Sequence, residues 1–325
     1  MASYRDAGVD LDTGDLHVEN IRSSVTATWT TPVVGGFGGF AAGVPIPDGY
    51  ANPVLMLSTD GVGTKLDIAR RADDWSGVGF DLVAMCVDDL AAVGAAPVGF
   101  VDYIAVGALN PTRESQIVRS IAAACTMAGC PLVGGETAEH PGVMAPDAVD
   151  LAGTAAGIVE SGEELRPERV SAGDLLVGLR SPNLRSNGFS LVRAVLGDEE
   201  TQRHASTLLQ PSVIYAPAVL SAIATGGVNA AAHITGGGLP GNVPRALPPG
   251  LGAEIDSSTW EVPEVFDLIG RHGVEREEMF RVFNMGIGFV LVVGPGKLDA
   301  VCDAVIAHAP VVIGRIGTTM GVRIS

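Results

Sequence analysis

Three observations predict a mixed α/β protein of two α/β domains, residues 1–165 and 166–325. Short runs rich in Val, Leu and Ile alternate with helix-period segments in both halves, the signature of strands and helices layered on each other. The stretch Glu160–Gly173 is rich in charge, Gly and Pro and interrupts that rhythm, which marks a domain boundary. The length of 325 residues allows each half its own core.

The elements follow in order. Residues 1–40 read as a flexible N-terminal segment ending in the glycine-rich run Gly35-Gly36-Phe37-Gly38-Gly39-Phe40, which is either a linker or a mobile flap over phosphates. A strand ends at Asp60, and Phe80–Ala92 has helical periodicity. Pro97–Val106 is a strand, and Thr112–Ala128 a helix with Thr112 as a candidate N-cap and Glu114 in its first turn. Pro131–Val133 is a short strand before a Gly134-Gly135-Glu136-Thr137 turn, and Leu151–Val159 closes the first half. In the second half Leu175–Leu179 is a strand, and a helix starts after Asn187-Gly188. Ser212–Ala224 is helical, and Ala231–Ile234 leads into Thr235-Gly236-Gly237-Gly238 and another helix. Glu264–Gly270, Glu275–Phe283 and Leu298–His308 read as helices, with strands at Phe289–Val293 and Val311–Ile316.

Composition narrows the function. Lys plus Arg number 20 against 37 Asp plus Glu, a formal charge of −17, which argues against nonspecific binding to nucleic acid or anionic membrane. A polyanionic substrate then needs local cations or backbone N–H groups. Cys86, Cys125, Cys130 and Cys302 form no C-x-x-C pair, so free thiols in a reducing cytosol are expected rather than disulfides or zinc. The polar, acidic start resembles no signal peptide, and no apolar run approaches the roughly 20 residues of a membrane span.

The chemistry concentrates at turns. In Leu55–Leu66, LMLSTDGVGTKL, a strand runs into Asp60, two glycines, Thr64 and Lys65. Asp60 can hold a metal ion and Lys65 can meet a phosphate, although the spacing is not that of a P-loop. A plain glycine turn is the alternative. Asp81 and Asp88 share a helical face, with Asp89 around the corner, and the Asp88-Asp89 pair interrupts an apolar stretch where charge must be paired or metal-bound. Gly134–Thr137, Ser186-Asn187-Gly188 and Thr235–Gly238 each suit an anion if they sit at helix N-termini. His233, beside the last of these, is either a general acid/base or a hydrogen-bonded core residue.

The ordered motifs resemble a known family. They are SYRDAGVDLD (Ser3–Asp12), GGFGGF (Gly35–Phe40), STDGVGTKL (Ser58–Leu66), GFDLVAMCVDDLAAVGAAP (Gly79–Pro97), LVGGETAEHPG (Leu132–Gly142), RSNGFSLVR (Arg185–Arg193), HITGGGLPGNVPR (His233–Arg245) and FNMGIGF (Phe283–Phe289). The chain is similar from end to end to the phosphoribosylformylglycinamidine cyclo-ligases. These form part of an ATP-binding superfamily that also holds selenophosphate synthetase, thiamin-monophosphate kinase and a hydrogenase maturation protein.

The resemblance implies ATP-dependent closure of formylglycinamidine ribonucleotide to aminoimidazole ribonucleotide in purine synthesis, with Mg²⁺. It also implies a cytoplasmic homodimer whose N-terminal domains share an intersubunit β-barrel. It assigns catalysis to Lys65, Asp89 and Asn187, and metal to Asp60, Asp89 and Glu136. ATP falls to Gly35, Gly36, Gly38, Gly39, Asp60, Gly61, Gly63, Thr64, Lys65, Gly134, Gly135, Glu136 and Thr137. The substrate phosphate falls to Ser186, Asn187, Gly188, Thr235, Gly236, Gly237 and Gly238. One departure is Arg185, where the family pattern has histidine. A permanently protonated arginine cannot replace an acid or base there, though it could bind phosphate. Asp88 is a weaker candidate ligand than Asp89.

Overall fold

The computed structural model describes residues 8–325. The first half of the SYRDAGVDLD motif, Ser3–Ala7, therefore lies outside the described residues. The first half runs α1 (Leu11–Ala27), β1 (Pro53–Gly61), α2 (Lys65–Ala72), α3 (Val78–Ala92), β2 (Ala96–Val106), α4 (Pro111–Ala128), β3 (Leu132–Glu139) and β4 (Val149–Glu160). Its sheet has the order β1-β4-β2-β3. The β2–α4–β3 crossover gives a parallel pair, and β4 runs antiparallel to both β1 and β2.

The second half runs β5 (Leu175–Arg180), α5 (Phe189–Arg203), α6 (Ala205–Leu208), α7 (Ala216–Ala224), β6 (Val228–His233), α8 (Gly238–Asn242) and β7 (Gly252–Ile255). It continues with α9 (Glu264–Gly270), α10 (Arg276–Val282), β8 (Ile287–Val293), α11 (Leu298–Ala304), β9 (Val311–Gly317) and β10 (Gly321–Ile324). Its sheet order is β10-β7-β9-β5-β8-β6, and every residue of β8 is buried. Within the described residues no strand pairs across the segment between Glu160 and Leu175.

Several expectations need correction. Residues 1–40 are not a flexible segment throughout, because α1 is a 17-residue helix. Asp10 caps it by accepting the Asp12 N–H, and Val25 and His17 are buried beneath it. Gly14 and the Ser and Thr residues of α1 weaken the helical signal, while packing on α4 and β3 supplies the stability. The N-cap of α4 is Asn110, whose Oδ1 accepts from Thr112 and Arg113, not Thr112. Gly134–Thr137 is no turn: it lies inside the edge strand β3, paired with Val101–Ile104, and opens no helix. The short strands β10, at the sheet edge, and β7, beside it, are absent from the sequence reading. Glycines flank or open both, which disguises them as turns.

The first sheet has unequal faces. Gly153 of β4 lies under Phe100 and Leu82, so α3 covers one face. On the other, Leu55, Leu57, Val101 and Tyr103 lie in adjacent register and are exposed at 59%, 67%, 40% and 42%.

Helix α3 joins the halves. It packs on β1 and β4 on one side and on α7 and β6 on the other, and twelve of its residues are buried. Two carboxylates therefore sit in the interior. Asp88 accepts from Arg185 Nη2 at 2.6 Å and from the Tyr215 and Ala216 N–H groups at 2.8 and 2.9 Å, at the N-terminus of α7. Arg185 also donates to the Gly288 and Val213 carbonyls. Two turns earlier on the same helical face, Asp81 pairs with Lys65 Nζ at 2.7 Å and accepts from the Ser212 N–H and hydroxyl. Lys65 completes its set with the Arg185 and Gln210 carbonyls at 3.0 and 2.8 Å. All four charged side chains have zero exposure.

A buried charge is tolerated only while paired. Lys65→Met should therefore strand the Asp81 carboxylate and cost about 3–5 kcal/mol. The double change Lys65→Met with Asp81→Leu should recover much of that loss. Denaturant titration of the three proteins checks this; a single variant as stable as the parent would remove the pair from the account.

Candidate active site

Lys65 is the main correction. It was expected at ATP phosphates, but its three N–H bonds end on Asp81 and two carbonyls, and it is fully buried at the start of α2. A cation so enclosed has nothing left to offer a phosphate. Arg185 is likewise enclosed and held at φ 60°, so it ties the halves together rather than facing a ligand.

Other candidates do converge. Ser58 and Asp60 alternate onto one face of β1, and Ser58 Oγ reaches Asp89 Oδ2 at 3.4 Å. Asp60 and Asp89 thus flank one groove beside α3. The Asp60 carboxylate already accepts the Gly61 N–H at 2.7 Å. Asp89 Oδ1 meets His233 Nδ1 at 2.9 Å. Burial pushes the Asp89 carboxyl up, but the His233 bond, the nearby Arg245 and Ser58 outweigh it and hold the group below its ordinary range. His233 is buried and stacked on Phe289, and its Nε2 has no hydrogen-bond partner among the described residues. Sequence alone left its role open; in space it orients Asp89. Behind these groups lies a cavity of about 370 Å³ between the halves, lined also by Arg166, Asn242 and Arg245.

The turns of the second half close on the same groove. Gly188 (φ 80°) is the N-cap of α5 and Gly237 (φ 99°) that of α8, conformations that suit glycine. Asn242 staples the second turn through the Thr235, Gly236 and Gly238 carbonyls. Asn187 lies beside Gly236 and reaches Met85 Sδ at 3.6 Å, one helical turn before Asp89. Thr64, after Gly61 and Gly63, meets Ser190 of α5 at 3.1 Å. Ser186 is partly buried at the same helix start. The turns that open α5 and α8 therefore lie beside α3, linked to it through Asn187 to Met85 and through His233 to Asp89.

Glu136 does not join them. Asp60, Gly153, Asp102 and Gly135 form one register row across four strands, so they share a face, and Glu136, one residue on, points to the other. Among the described residues no three metal-ligating side chains gather at one point.

The remaining candidates line a second cavity, of about 420 Å³. Val34 and Gly43 exchange backbone hydrogen bonds and close residues 34–43 into a loop. Gly35, Gly36 and Gly38 adopt positive φ, and a Cβ on Gly35 would fall 2.4 Å from the Ala41 carbonyl oxygen. This loop, with Gly39, covers a space walled by α1, Gly134–Thr137 and Asp102. Asp102 escaped the sequence reading, although a charge inside the apolar run VGFVDYIAV is a usable signal. Burial pushes its carboxyl up to about 7, against its own backbone N–H bond.

The sign of this effect is testable. Below about pH 4 Asp102 is protonated whether the chain is folded or not. Above that the unfolded chain loses the proton first, so stability falls until about pH 7, where the penalty is complete. Asp102→Asn does not titrate and should be more stable than the parent at pH 8, by a margin that shrinks toward pH 5. Denaturation at both values checks it; a margin independent of pH would contradict the assignment.

The chain matches the AIR synthase related protein N-terminal domain over residues 41–159 and its C-terminal domain over 171–324. It is 47% identical over 319 residues to phosphoribosylformylglycinamidine cyclo-ligases of Anaeromyxobacter sp. (strain K) and Anaeromyxobacter dehalogenans (strain 2CP-C), covering 94% of this chain and 91% of theirs. In fold it is similar to thiamine-monophosphate kinase from Stenotrophomonas maltophilia K279a, with a TM-score of 0.67 at 19% identity over 94% of this chain and 95% of that one. It is also similar to the hydrogenase maturation protein HypE in complex with ATP, with a TM-score of 0.66 at 17% identity over 91% and 84%. With both family domains matched in order and close to half of all residues shared with these relatives, the chain belongs to the phosphoribosylformylglycinamidine cyclo-ligase family, a family of ligases.

Proposed function

We propose that this protein closes formylglycinamidine ribonucleotide to aminoimidazole ribonucleotide, with conversion of ATP to ADP and phosphate, as a step of purine synthesis. The observation that carries the reading is Asp89, held by Ser58 of β1 and by His233 just before the α8 turn, beside the α5 turn that reaches Met85 through Asn187. It sits in a chain 47% identical to enzymes of that name.

The chemistry needs a leaving group. An amide oxygen leaves poorly, so it first attacks the γ-phosphorus of ATP. The bond from that phosphorus to the β-bridging oxygen breaks, and its electron pair leaves with ADP. A nitrogen of the substrate then attacks the activated carbon, loses its proton, and the C–O bond breaks to release phosphate. Catalysis of this kind is mostly positioning and charge neutralisation.

The groove offers both. Asp60 and Asp89 fit Mg²⁺, a hard cation that takes few carboxylates, keeps waters and meets phosphate oxygens. Bound there, Mg²⁺ would neutralise charge on the phosphates. His233 fixes the Asp89 carboxylate. The α5 turn Ser186–Gly188 and the loop Thr235–Gly238 take the ribose phosphate through their N–H groups. Asn187, between Met85 and Gly236, is placed to contact the reacting part of the substrate. The thiols of Cys86, Cys125, Cys130 and Cys302 are free, which fits a cytosolic setting.

The apolar outer face of the first sheet favours a homodimer, in which a second copy covers Leu55, Leu57, Val101 and Tyr103 and the two sheets form a shared barrel.

Two experiments follow. With Mg²⁺, ATP and formylglycinamidine ribonucleotide, aminoimidazole ribonucleotide and ADP should appear one to one, and Asp89→Asn should lower both together by at least about 100-fold. ADP without the imidazole product would mean a different acceptor and would overturn the reading. Light scattering should show the parent as a dimer and Leu57→Glu, which puts charge on the covered face, as a monomer. A monomeric parent at micromolar concentration would remove the shared barrel.

A further inference from the structure

Arg185, where the family pattern has histidine, stands at the entry to the turn Ser186-Asn187-Gly188. It is fully buried, and its backbone takes φ 60°, a left-handed conformation that is strained for any residue with a side chain. Contacts on every polar side of the residue hold it there. The guanidinium donates to Asp88 Oδ2 at 2.6 Å and to the Gly288 and Val213 carbonyls at 3.1 and 3.0 Å, and it lies 4.9 Å from the centre of the Tyr215 ring. The Arg185 N–H donates to Asn183 Oδ1 at 2.8 Å, and its carbonyl accepts from Lys65 Nζ at 3.0 Å. Asn183 is itself fixed: its Nδ2 donates to the Pro211 carbonyl, and its carbonyl accepts from Ser181 Oγ and Asn284 Nδ2.

The three residues that follow are anchored far less. Asn187 makes one long contact, to Met85 Sδ at 3.6 Å. The N–H groups of Ser186, Asn187 and Gly188 have no protein partner among the described residues. Gly188 is packed so closely that a Cβ there would fall 2.2 Å from the Phe283 ring. The turn is therefore placed from its two ends, by Arg185 before it and by the packing of Gly188 after it.

Stability does not require this arrangement. A buried ion pair adds little over an apolar pair of the same size, and the Nε of this guanidinium has no partner among the described residues. What the guanidinium adds is direction, because a planar fork meets its acceptors at fixed angles. Those acceptors belong to α3, to β8 and to the segment before α7. The start of the turn is thereby located against the helix that carries Asp89.

We propose that Arg185 is a positioning residue for the ribose phosphate: without touching the substrate, it holds Ser186–Gly188 where their N–H groups can receive that phosphate. The inference rests on the reading that this turn takes the ribose phosphate, and deepens it by making a residue outside the turn set the affinity.

The test compares the full-length parent with two variants. Arg185→Gln with Asp88→Asn removes both charges together, so neither is left buried alone. Arg185→Lys keeps a charge for Asp88 but lacks the planar fork. Denaturant titration reports whether each is folded. By calorimetry, ribose 5-phosphate should bind each folded variant about ten-fold or more weaker than the parent, the effect of about one hydrogen bond to a charged group. ADP with Mg²⁺ should bind parent and variants within about two-fold, as independent sites do. In turnover, KM for formylglycinamidine ribonucleotide should rise while KM for ATP holds. Equal weakening of ribose 5-phosphate and ADP would mean a general loosening of the fold, and unchanged ribose 5-phosphate affinity would mean that the turn holds itself; either overturns the proposal. Amide NMR of the parent separates this from the reading beneath it. Ribose 5-phosphate should shift the signals of Ser186, Asn187 and Gly188. Shifts there with unaffected variants would sink the role of Arg185 alone. Shifts only elsewhere, or no binding to the parent, would sink the phosphate assignment and the proposal with it.

Discussion

The structure depends on α3 being an interior helix that carries charge. It is wedged between the first sheet and α7, so it has almost no solvent face. Carboxylates in such a place must be answered by cations from elsewhere. Lys65 answers Asp81 and Arg185 answers Asp88, and Lys65 also takes the Arg185 carbonyl, which joins the two pairs. The result is a polar seam that fixes β1, α2 and the α5 turn against α3. Asp89, about 100° around the helix from Asp88, is thereby aimed into the groove with its partner His233. The geometry of the Asp89 carboxylate is set by its buried neighbours.

This explains why the lysine and arginine misled a reading of sequence alone. Lys65 follows a glycine turn that ends a strand, which is where a phosphate lysine is expected. Whether such a side chain points out or in depends on what packs against it 16 and 120 residues away, and no local pattern encodes Asp81 or the Arg185 carbonyl. Asp81 and Asp88 sharing a face was legible from helical spacing, and so was the need for Asp88 to be paired. The identity of its partner was not. Arg185 in place of histidine looked like damage to a proton-transfer site, yet its enclosure by Asp88, Gly288 and Val213 gives it a structural task. The substitution is therefore no argument for a protein that has lost catalysis.

The fold was legible where periodicity and packing agree. The helix around Asp88 and the strands β2, β5, β8 and β9 lie close to their expected places, because each buries an apolar run. The reading failed where tertiary contacts override weak local signals. α1 contains Gly14 and several poor helix formers, and β3 carries two glycines that look like a turn. In β3 those glycines serve a neighbour: Gly135 leaves space for the Asp102 carboxyl. A glycine pair beside an internal aspartate on the adjacent strand is a three-dimensional pattern, and only register brings it together.

Asp102 and Asp88 show two solutions to one problem on one chain. Asp88 receives an arginine and two N–H groups, and its charge is spent on holding the halves together. Asp102 has no ion pair among the described residues, and burial pushes its carboxyl up to about 7. Selection for stability alone would replace it with an uncharged residue of similar shape.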